Sequence, residues 1–137
     1  MASLQLEIVT PEQKVFSGEV HSVVIPTVQG EIQVLPGHDS LMAMLIPGEL
    51  RIFTGSESKG MAVGEGFVEV TPLKISILSD MAIGEKDIDE EKTQEAVKRA
   101  EEALRSKTLI GEELEATSAA LARSVAQLHL VRRRKGR

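Results

Sequence analysis

The sequence lacks four residue types, and each absence excludes a class of protein. Its 137 residues include no Cys, which excludes disulfide scaffolds, thiol catalysis and thiolate zinc sites. Trp and Tyr are also absent, and three Phe make up the whole aromatic content of 2%. So few aromatic rings argue against folds that bind nucleic acids or sugars by stacking. Asn is missing too, so the chain has no acceptor for an N-glycan.

Long apolar runs are also missing. No run approaches the ~20 residues that a membrane-spanning helix requires, and Met1–Ser3 does not open a signal peptide. Apolar residues nonetheless make up 42% of the chain, which is enough to build a packed core. The expectation is a folded, soluble, intracellular chain that does not insert directly into a membrane.

Charge is spread unevenly along the chain. The net charge is −5, yet residues 1–84 carry four basic and ten acidic side chains, whereas residues 85–137 carry twelve basic and eleven acidic ones. The acidic balance gives no reason to expect a nucleic acid as a partner. The sharp rise in charge density near Gly84 predicts a domain boundary, with one domain over residues 1–84 and another over residues 85–137.

The first domain has the pattern of many short strands. Leu4, Leu6 and Ile8 alternate with polar residues, which is typical of a half-buried strand. Asp39 to Leu45 fits either one turn of helix or an irregular strand. Further apolar runs, separated by Gly or Pro, cover Val20 to Ile25, Glu31 to Leu35, Glu49 to Phe53, Met61 to Val63, Phe67 to Val70 and Leu73 to Leu78. The spacing of ~8–12 residues predicts an all-β domain, an antiparallel sandwich or flattened barrel.

The second domain begins with the pattern of an amphipathic helix. Asp87 is a candidate N-cap, and Glu90 stands three residues later, at the spacing of a capping box. An apolar face follows from Ala96 to Leu104. The opposite face is charged and predicts two ion pairs at i,i+4 spacing, Glu95–Arg99 and Glu101–Arg105.

A second helix follows a short break in this pattern. Ser106 to Gly111 serves as the connection, and the new helix starts near Glu112 and ends among basic residues. Two helices joined by a short loop predict an antiparallel hairpin. Its facing surfaces are mostly Ala, which bury little apolar area, and isolated helices of this length are marginal in water. We therefore expect a weakly held hairpin that can open.

The sequence offers little that could carry catalysis. His21, His38 and His129 are not spaced like metal ligands, so no metal site is predicted, and no phosphate-binding loop motif occurs. His38 and Asp39, with Glu31 nearby in sequence, form the one cluster that resembles a hydrolytic site. A polar turn that closes a strand is the favoured interpretation, and we predict no catalytic residue in this chain.

The basic end of the second helix has two interpretations. Arg132 to Arg137 contains five cations, and such a run forms either a solvated helix end or a docking element for an acidic surface. Both interpretations stay open on the residues alone.

Three segments resemble the epsilon subunit of rotary F-type ATP synthases. Gly30–His38 (GEIQVLPGH), Leu45–Leu50 (LIPGEL) and Gly66–Val70 (GFVEV) match the motifs of that family in order, and the resemblance covers essentially the full chain. Gln33 stands where the family usually has Gly, a departure that affects only the local turn.

The resemblance implies a non-catalytic subunit of the central stalk. Its β-domain would bind the gamma subunit and the ring of c subunits, in a loop marked by Glu31 and His38, and would couple proton-driven rotation to ATP synthesis. The implied location is the cytoplasmic face of a bacterial inner membrane, as a peripheral protein, with a plastid thylakoid as the alternative. Sequence does not separate H⁺ from Na⁺ as the coupling ion.

The resemblance also implies that the hairpin can extend toward the catalytic head and inhibit ATP hydrolysis. The helices would then meet the alpha and beta subunits through basic side chains. The candidates for this inhibitory contact are Arg99, Arg105, Arg123, Arg132, Arg133 and Arg134.

Some members of the family bind ATP on the folded hairpin. The motif matches here at Ile88, Asp89 and Arg99, whereas Lys92 replaces an Arg and Thr93 replaces an Ala. Lys keeps the charge but loses the planar fork of the guanidinium, and Thr at a close-packed position is expected to loosen the hairpin. No cofactor is required, and ATP is a candidate regulatory ligand. A free-standing switch that responds to nucleotide is the alternative function.

Overall fold

The computed structural model describes residues 3–135 of the chain, and side chains as far as residue 133. Ten strands are followed by a 3₁₀ turn and two α-helices. The strands are β1 Leu4–Val9, β2 Lys14–Val20, β3 Ser22–Thr27, β4 Gly30–Val34, β5 Leu41–Leu45, β6 Gly48–Thr54, β7 Glu57–Val63, β8 Gly66–Val70, β9 Lys74–Ser79 and β10 Ala82–Gly84. The 3₁₀ turn spans Glu85–Asp87, and the helices are α1 Glu90–Arg105 and α2 Gly111–Lys135.

The strands form a nearly closed sandwich of two layers. One layer contains β4, β3, β6, β7 and β10, and the other contains β5, β8, β9, β1 and β2. A single residue pair, Thr27 with Leu45, joins β3 to β5 across the edge. Every pairing is antiparallel except that of β1 with β9, which is parallel. The predicted sandwich is therefore confirmed, with one parallel pair that no hairpin spacing could indicate.

The core lies between the two layers and is aliphatic. Inward-facing residues alternate with outward-facing ones on each strand, as Leu4, Leu6 and Ile8 do on β1. Their counterparts across the sandwich include Leu50 and Ile52 of β6. These side chains are at most 2% exposed, so the alternation in the sequence reports burial correctly.

One strand prediction needs correction, and two strands, β2 and β10, were not predicted. The predicted strand Val20 to Ile25 is interrupted at His21, where β2 ends and β3 begins. Strand β2 starts at Lys14, and its mostly exposed side chains hide the alternation that a sequence pattern needs. Of the two alternatives for Asp39 to Leu45, the strand is the one observed, as β5.

Helix α1 begins two residues later than predicted. Its N-cap is Asp89, whose carboxylate accepts the backbone N–H of Lys92 at 3.0 Å, whereas Asp87 ends the 3₁₀ turn. Glu90 is consequently the first helical residue and does not form a capping box. The spacing of Asp87 and Glu90 favoured the wrong one of two nearby Asp residues, because either can cap a helix. The hairpin itself is confirmed, with α1 packed along α2.

Candidate functional site: the outer faces of the sandwich

The outer face of β7 is covered by α2 and is built from small residues. Gly60, Ala62 and Gly64 alternate with the core residues Met61 and Val63, and all five are buried. A Cβ added to Gly60 would lie 2.9 Å from Cδ1 of Leu130, and one added to Gly64 would overlap the carboxylate of Asp80 and lie 3.3 Å from Cδ of Arg123. The missing side chains therefore let the helix approach the strand closely. We call the outer surface of β6 and β7 the covered face.

A small apolar cluster fills the contact between α2 and the covered face. Ala62, Ala126 and Leu130 are buried in it, and the partly buried Met81, Ile83 and Ile88 pack against them. Leu130 is only 1% exposed. Ala side chains supply little of this apolar area, so Leu130 is the largest contributor from the helix.

One amide connects both helices to the sandwich. Oε1 of Gln127 accepts the hydroxyl of Thr93 at 3.4 Å, and its Nε2 lies 2.9 Å from Sδ of Met81. The Thr93 hydroxyl also approaches the carbonyl oxygen of Asp89 at 2.6 Å. Thr93 is 7% exposed, so it does occupy a close-packed position, where its hydroxyl has hydrogen-bond acceptors. That Thr93 loosens the hairpin stays a prediction.

Two ion pairs join α2 to the sandwich at either end of the cluster. Arg123 contacts Asp80 at 3.2 Å, and Arg133 contacts Glu49 on β6. All four side chains retain some exposure, from 17% for Glu49 to 45% for Arg133. Pairs this exposed are individually weak, so they supplement the apolar contact rather than replace it.

The outer face of the second layer carries large apolar side chains. Met44, Phe67 and Leu78 stand in register across β5, β8 and β9, and each is 55% exposed. Met42 and Val28 extend this row and are 72% and 58% exposed. A groove of about 350 Å³ lies among Val28, Met42, Met44 and Phe67. We call these five side chains the open face.

The open face has the character of a protein interaction surface. Contiguous exposed apolar patches of this kind are typical of such surfaces, and Met side chains adapt readily to a partner. Sequence reasoning missed it, although a signal existed. Phe67 with Val68, and Ile77 with Leu78, are adjacent apolar pairs, which indicates strands that are apolar on both faces.

Glu31 and His38 do not share a loop. Glu31 is the second residue of β4, whereas His38 follows the turn beyond the other end of that strand. Glu31 pairs with Arg51 of β6 at 3.4 Å. Nδ1 of His38 lies 2.7 Å from the backbone carbonyl oxygen of Asp39. The hydrolytic cluster considered from the sequence is therefore not assembled. Within residues 3–135, no group of three or more His, Cys, Asp or Glu side chains is arranged to hold a metal.

The four residues of the nucleotide motif divide into two pairs. Ile88 packs against the apolar cluster under α2, and Asp89 caps α1, so both have structural roles. Lys92 and Arg99 are exposed and stand seven residues apart, which places them about two turns apart on one face of α1. The structure thus leaves two cations of the motif available to a ligand.

The candidate inhibitory arginines also divide. Arg123 and Arg133 pair with the sandwich, whereas Arg99, Arg105 and Arg132 are exposed. The side chain of Arg134 lies outside the described residues. The predicted pairs Glu95–Arg99 and Glu101–Arg105 do not form in the part of the chain with described side chains, which fits solvated charges on an exposed helix face. In the same part, no helix is long and apolar enough to cross a membrane.

Comparison with solved structures supports the fold. The chain resembles one from the Euglena gracilis mitochondrial ATP synthase, solved as OSCP/F1/c-ring in rotational state 1, with a TM-score of 0.78 and 23% identity over 95% of this chain and 81% of that one. It also resembles a chain from the central stalk and c-ring of the Tetrahymena thermophila mitochondrial ATP synthase, with a TM-score of 0.58 and 17% identity over 95% and 94%. At these identities the likeness shows the fold alone.

Comparison with protein sequences shows the family. Residues 3–85 match the model of the ATP synthase delta/epsilon chain β-sandwich domain, and residues 86–132 match that of its long α-helix domain. The ATP synthase epsilon chain of Dehalococcoides mccartyi is 40% identical over 98% of this chain and 96% of its own length. That of Neisseria gonorrhoeae is 38% identical over 93% and 92%. The chain therefore belongs to the delta/epsilon chain family of ATP synthases.

Proposed function

We propose that this chain is the epsilon subunit in the central stalk of a membrane-bound F-type ATP synthase, without a catalytic site of its own. The match of both domains to the delta/epsilon family over nearly the full chain carries this proposal. The subunit couples ion-driven rotation to ATP synthesis by holding the stalk to the ring. Its bacterial relatives suggest the cytoplasmic face of an inner membrane, where it is peripheral.

The open face is the proposed binding surface for the gamma subunit. It is the largest uncovered group of apolar side chains on the sandwich, and Phe67 lies at its centre, between Met44 and Leu78 in the register. A central aromatic residue in such a patch is typical of a binding hot spot. The hairpin lies against the other layer, so a gamma subunit can bind while the helices stay docked.

The Phe67→Asp variant tests this surface. We expect it to weaken binding to the cognate gamma subunit at least about 30-fold, because it places a charge where a ring is desolvated. Leu73→Asp is the matched control, since Leu73 is 71% exposed but lies in the turn between β8 and β9. If calorimetry showed that both variants bind the gamma subunit equally well, the open face would not be its binding surface.

The polar end of the sandwich is proposed to face the c-ring. Glu31 stands beside the exposed turn of the β3–β4 hairpin, where Val28, Gln29 and Gly30 also lie. His38, after the turn beyond the other end of β4, is then proposed to approach the gamma subunit rather than the ring. Cross-linking from Glu31→Cys and His38→Cys in the assembled enzyme distinguishes the two neighbours, because the natural chain has no Cys.

The hairpin is proposed to inhibit ATP hydrolysis when it leaves the covered face. Its docked form rests on one small apolar cluster and two exposed ion pairs, a contact weak enough for a two-state element. The released helices would present Arg99, Arg105, Arg123 and the cations from Arg132 to Arg134 to acidic surfaces of the alpha and beta subunits.

A reversible lock tests this inhibition. Ala62→Cys and Ala126→Cys place two thiols in the buried cluster between β7 and α2. We expect the oxidised double variant to leave hydrolysis by the cognate catalytic head uninhibited, and the reduced one to inhibit it. Inhibition that is the same in both forms would mean that hairpin release is not the inhibitory step.

ATP is proposed as a regulatory ligand of the docked hairpin. Support comes from Lys92 and Arg99, which are exposed on one face of α1, and the charge of both suits phosphate groups. A calorimetric titration with millimolar ATP should give heat that is lost in Lys92→Gln. No heat would end the proposal. Tight ATP binding by a chain that binds no gamma subunit would instead favour a free-standing switch.

A further inference from the structure

The two ion pairs between α2 and the sandwich bracket the apolar contact. Arg123, Ala126, Leu130 and Arg133 follow one another at intervals of three, four and three residues, which places all four on one stripe of the helix. Arg123 reaches Asp80 beside Gly64, and Arg133 reaches Glu49 near Gly60. The docking stripe of α2 therefore has an apolar centre and a cation at each end.

Arg123 and Arg133 are also proposed to contact the catalytic head. Arg123 and Arg133 are among the cations that the released hairpin would present to acidic surfaces of the catalytic head. In the docked hairpin their stripe faces β6 and β7. Because one stripe of a helix faces one direction, the same guanidinium groups cannot contact the sandwich and the head together.

We propose that Arg123 and Arg133 are shared between two competing sets of carboxylates. Asp80 and Glu49 hold them while the hairpin is docked, and carboxylates of the head hold them after release. This inference rests on the proposed inhibitory function of the hairpin. Asp80 and Glu49 then act as internal mimics of the partner's acidic surface, and they set how readily the hairpin leaves.

The proposal predicts opposite effects from the two sides of each ion pair. Asp80→Asn or Glu49→Gln removes the internal competitor and leaves the arginine in place, so docking should weaken about two- to five-fold per pair, and inhibition of hydrolysis should strengthen by a similar factor. Arg123→Gln or Arg133→Gln weakens docking by the same amount but also removes the contact with the head. The docked pairs are exposed and weak, whereas the proposed contact with the head is the stronger of the two because it closes inside a complementary interface. Inhibition should therefore fall in the arginine variants.

A third variant weakens docking without changing any charge. In Gly60→Val the new side chain meets Cδ1 of Leu130, because a Cβ at this position already lies 2.9 Å from that atom, and it also crowds the carboxylates of Glu85 and Glu49 at 2.8 and 3.3 Å. It should behave like Asp80→Asn, with weaker docking and stronger inhibition. Glu57→Gln is the matched control for loss of a carboxylate, since Glu57 is exposed at the start of β7.

Two measurements on the full-length chain separate the outcomes. Hydrogen exchange of residues 122–131 in the free chain reports docking, and titration of each variant into the cognate head reports inhibition. We expect faster exchange in all docking variants, with inhibition raised by Asp80→Asn, Glu49→Gln and Gly60→Val but lowered by the two arginine variants.

Each contrary result identifies what fails. If the carboxylate and arginine variants change inhibition in the same direction, the shared use of the arginines is wrong. If exchange does not change in the carboxylate variants, the two ion pairs do not hold the hairpin. If the natural chain does not inhibit the head at all while the exchange results are as expected, the proposed inhibitory function fails and the docking contact stands.

Discussion

The two outer faces of the sandwich differ in the size of their side chains. The covered face presents Gly60 and Ala62 on β7 and Gly64 directly after it, and α2 lies over them. The open face presents Met44, Phe67 and Leu78 in one row, and within the described chain no element lies over it. Both layers contribute to the same core, so this difference belongs to the outward positions alone.

The difference indicates that the covered face is buried by a helix of this chain, whereas the open face is a surface for another protein. Small residues let a helix approach a sheet closely, and that face is filled by this chain's own α2. Large exposed apolar residues without a cover are costly to leave in water and indicate a surface for another protein. Substitutions on the covered face should thus affect stability, whereas those on the open face should affect assembly.

The largest effect on stability is expected from Leu130→Ala. Leu130 is 1% exposed between α2 and the covered face, and truncation of such a side chain costs about 3 kcal/mol. Loss of helical circular dichroism in urea should begin at lower concentration than in the natural chain. Leu114→Ala, at a 42% exposed position of α2, should change little. Equal effects of the two would contradict the covered face as the support of the helix.

A smaller effect is expected at the start of α1. Asp89→Ala removes the carboxylate that accepts the N–H of Lys92, and loss of an N-cap costs about 1 kcal/mol. Asp87→Ala is the control and should stay within about 0.5 kcal/mol, because Asp87 does not cap the helix. If urea denaturation showed a larger loss of stability in Asp87→Ala than in Asp89→Ala, Asp87 would be the N-cap, as the sequence pattern predicts.

Thr93→Ala should also weaken the closed hairpin, which is the opposite of the loosening by Thr93 that the sequence predicts, because the hydroxyl has hydrogen-bond acceptors. The change removes the hydroxyl that reaches Gln127 on α2, and loss of a hydrogen bond of this kind costs about 0.5–1 kcal/mol. Ser118→Ala, at an exposed position of α2, is the control. A hairpin made more stable by Thr93→Ala, as measured by thermal denaturation, would mean that Thr loosens the packing at this site.

The smallest effect on the free chain is expected at the open face. Phe67→Ala removes a ring that is already 55% exposed, so the free energy of unfolding should change by no more than about 0.5 kcal/mol. The same variant should bind the gamma subunit weakly. A large loss of stability in the free chain would show that the ring stabilises the fold. It would contradict the claim that open-face residues affect assembly and not stability.

Sequence patterns predicted what depends on local order along the chain. The alternation of Leu4, Leu6 and Ile8 identified β1, and the apolar face from Ala96 to Leu104 identified α1. The patterns missed what depends on contacts distant in sequence. The parallel pairing of β1 with β9 and the approach of Leu130 to Gly60 join segments about 70 residues apart, and no local period encodes them.

The candidate sites show the same division. The family motifs predicted that Glu31 and His38 share one loop. The two residues are separated by most of strand β4 and the turn that follows it. The sequence pattern grouped four arginines by charge alone: Arg99, Arg105, Arg123 and Arg133. Among these, Arg123 and Arg133 contact carboxylates of the sandwich, whereas Arg99 and Arg105 are exposed. The open face was not predicted, because Gly66–Val70 was treated as a family motif. The adjacent apolar residues in it, Phe67 and Val68, point to opposite faces of the sheet.

Methionine oxidation in the free chain and in its complex with the gamma subunit tests the contrast most directly. Met42 and Met44 lie on the open face, whereas Met81 is partly buried beneath α2. We predict that peroxide oxidises Met42 and Met44 rapidly in the free chain and slowly in the complex, while Met81 reacts slowly in both. Rapid oxidation of Met42 and Met44 in the complex would show that the open face is not the binding surface and would contradict the account.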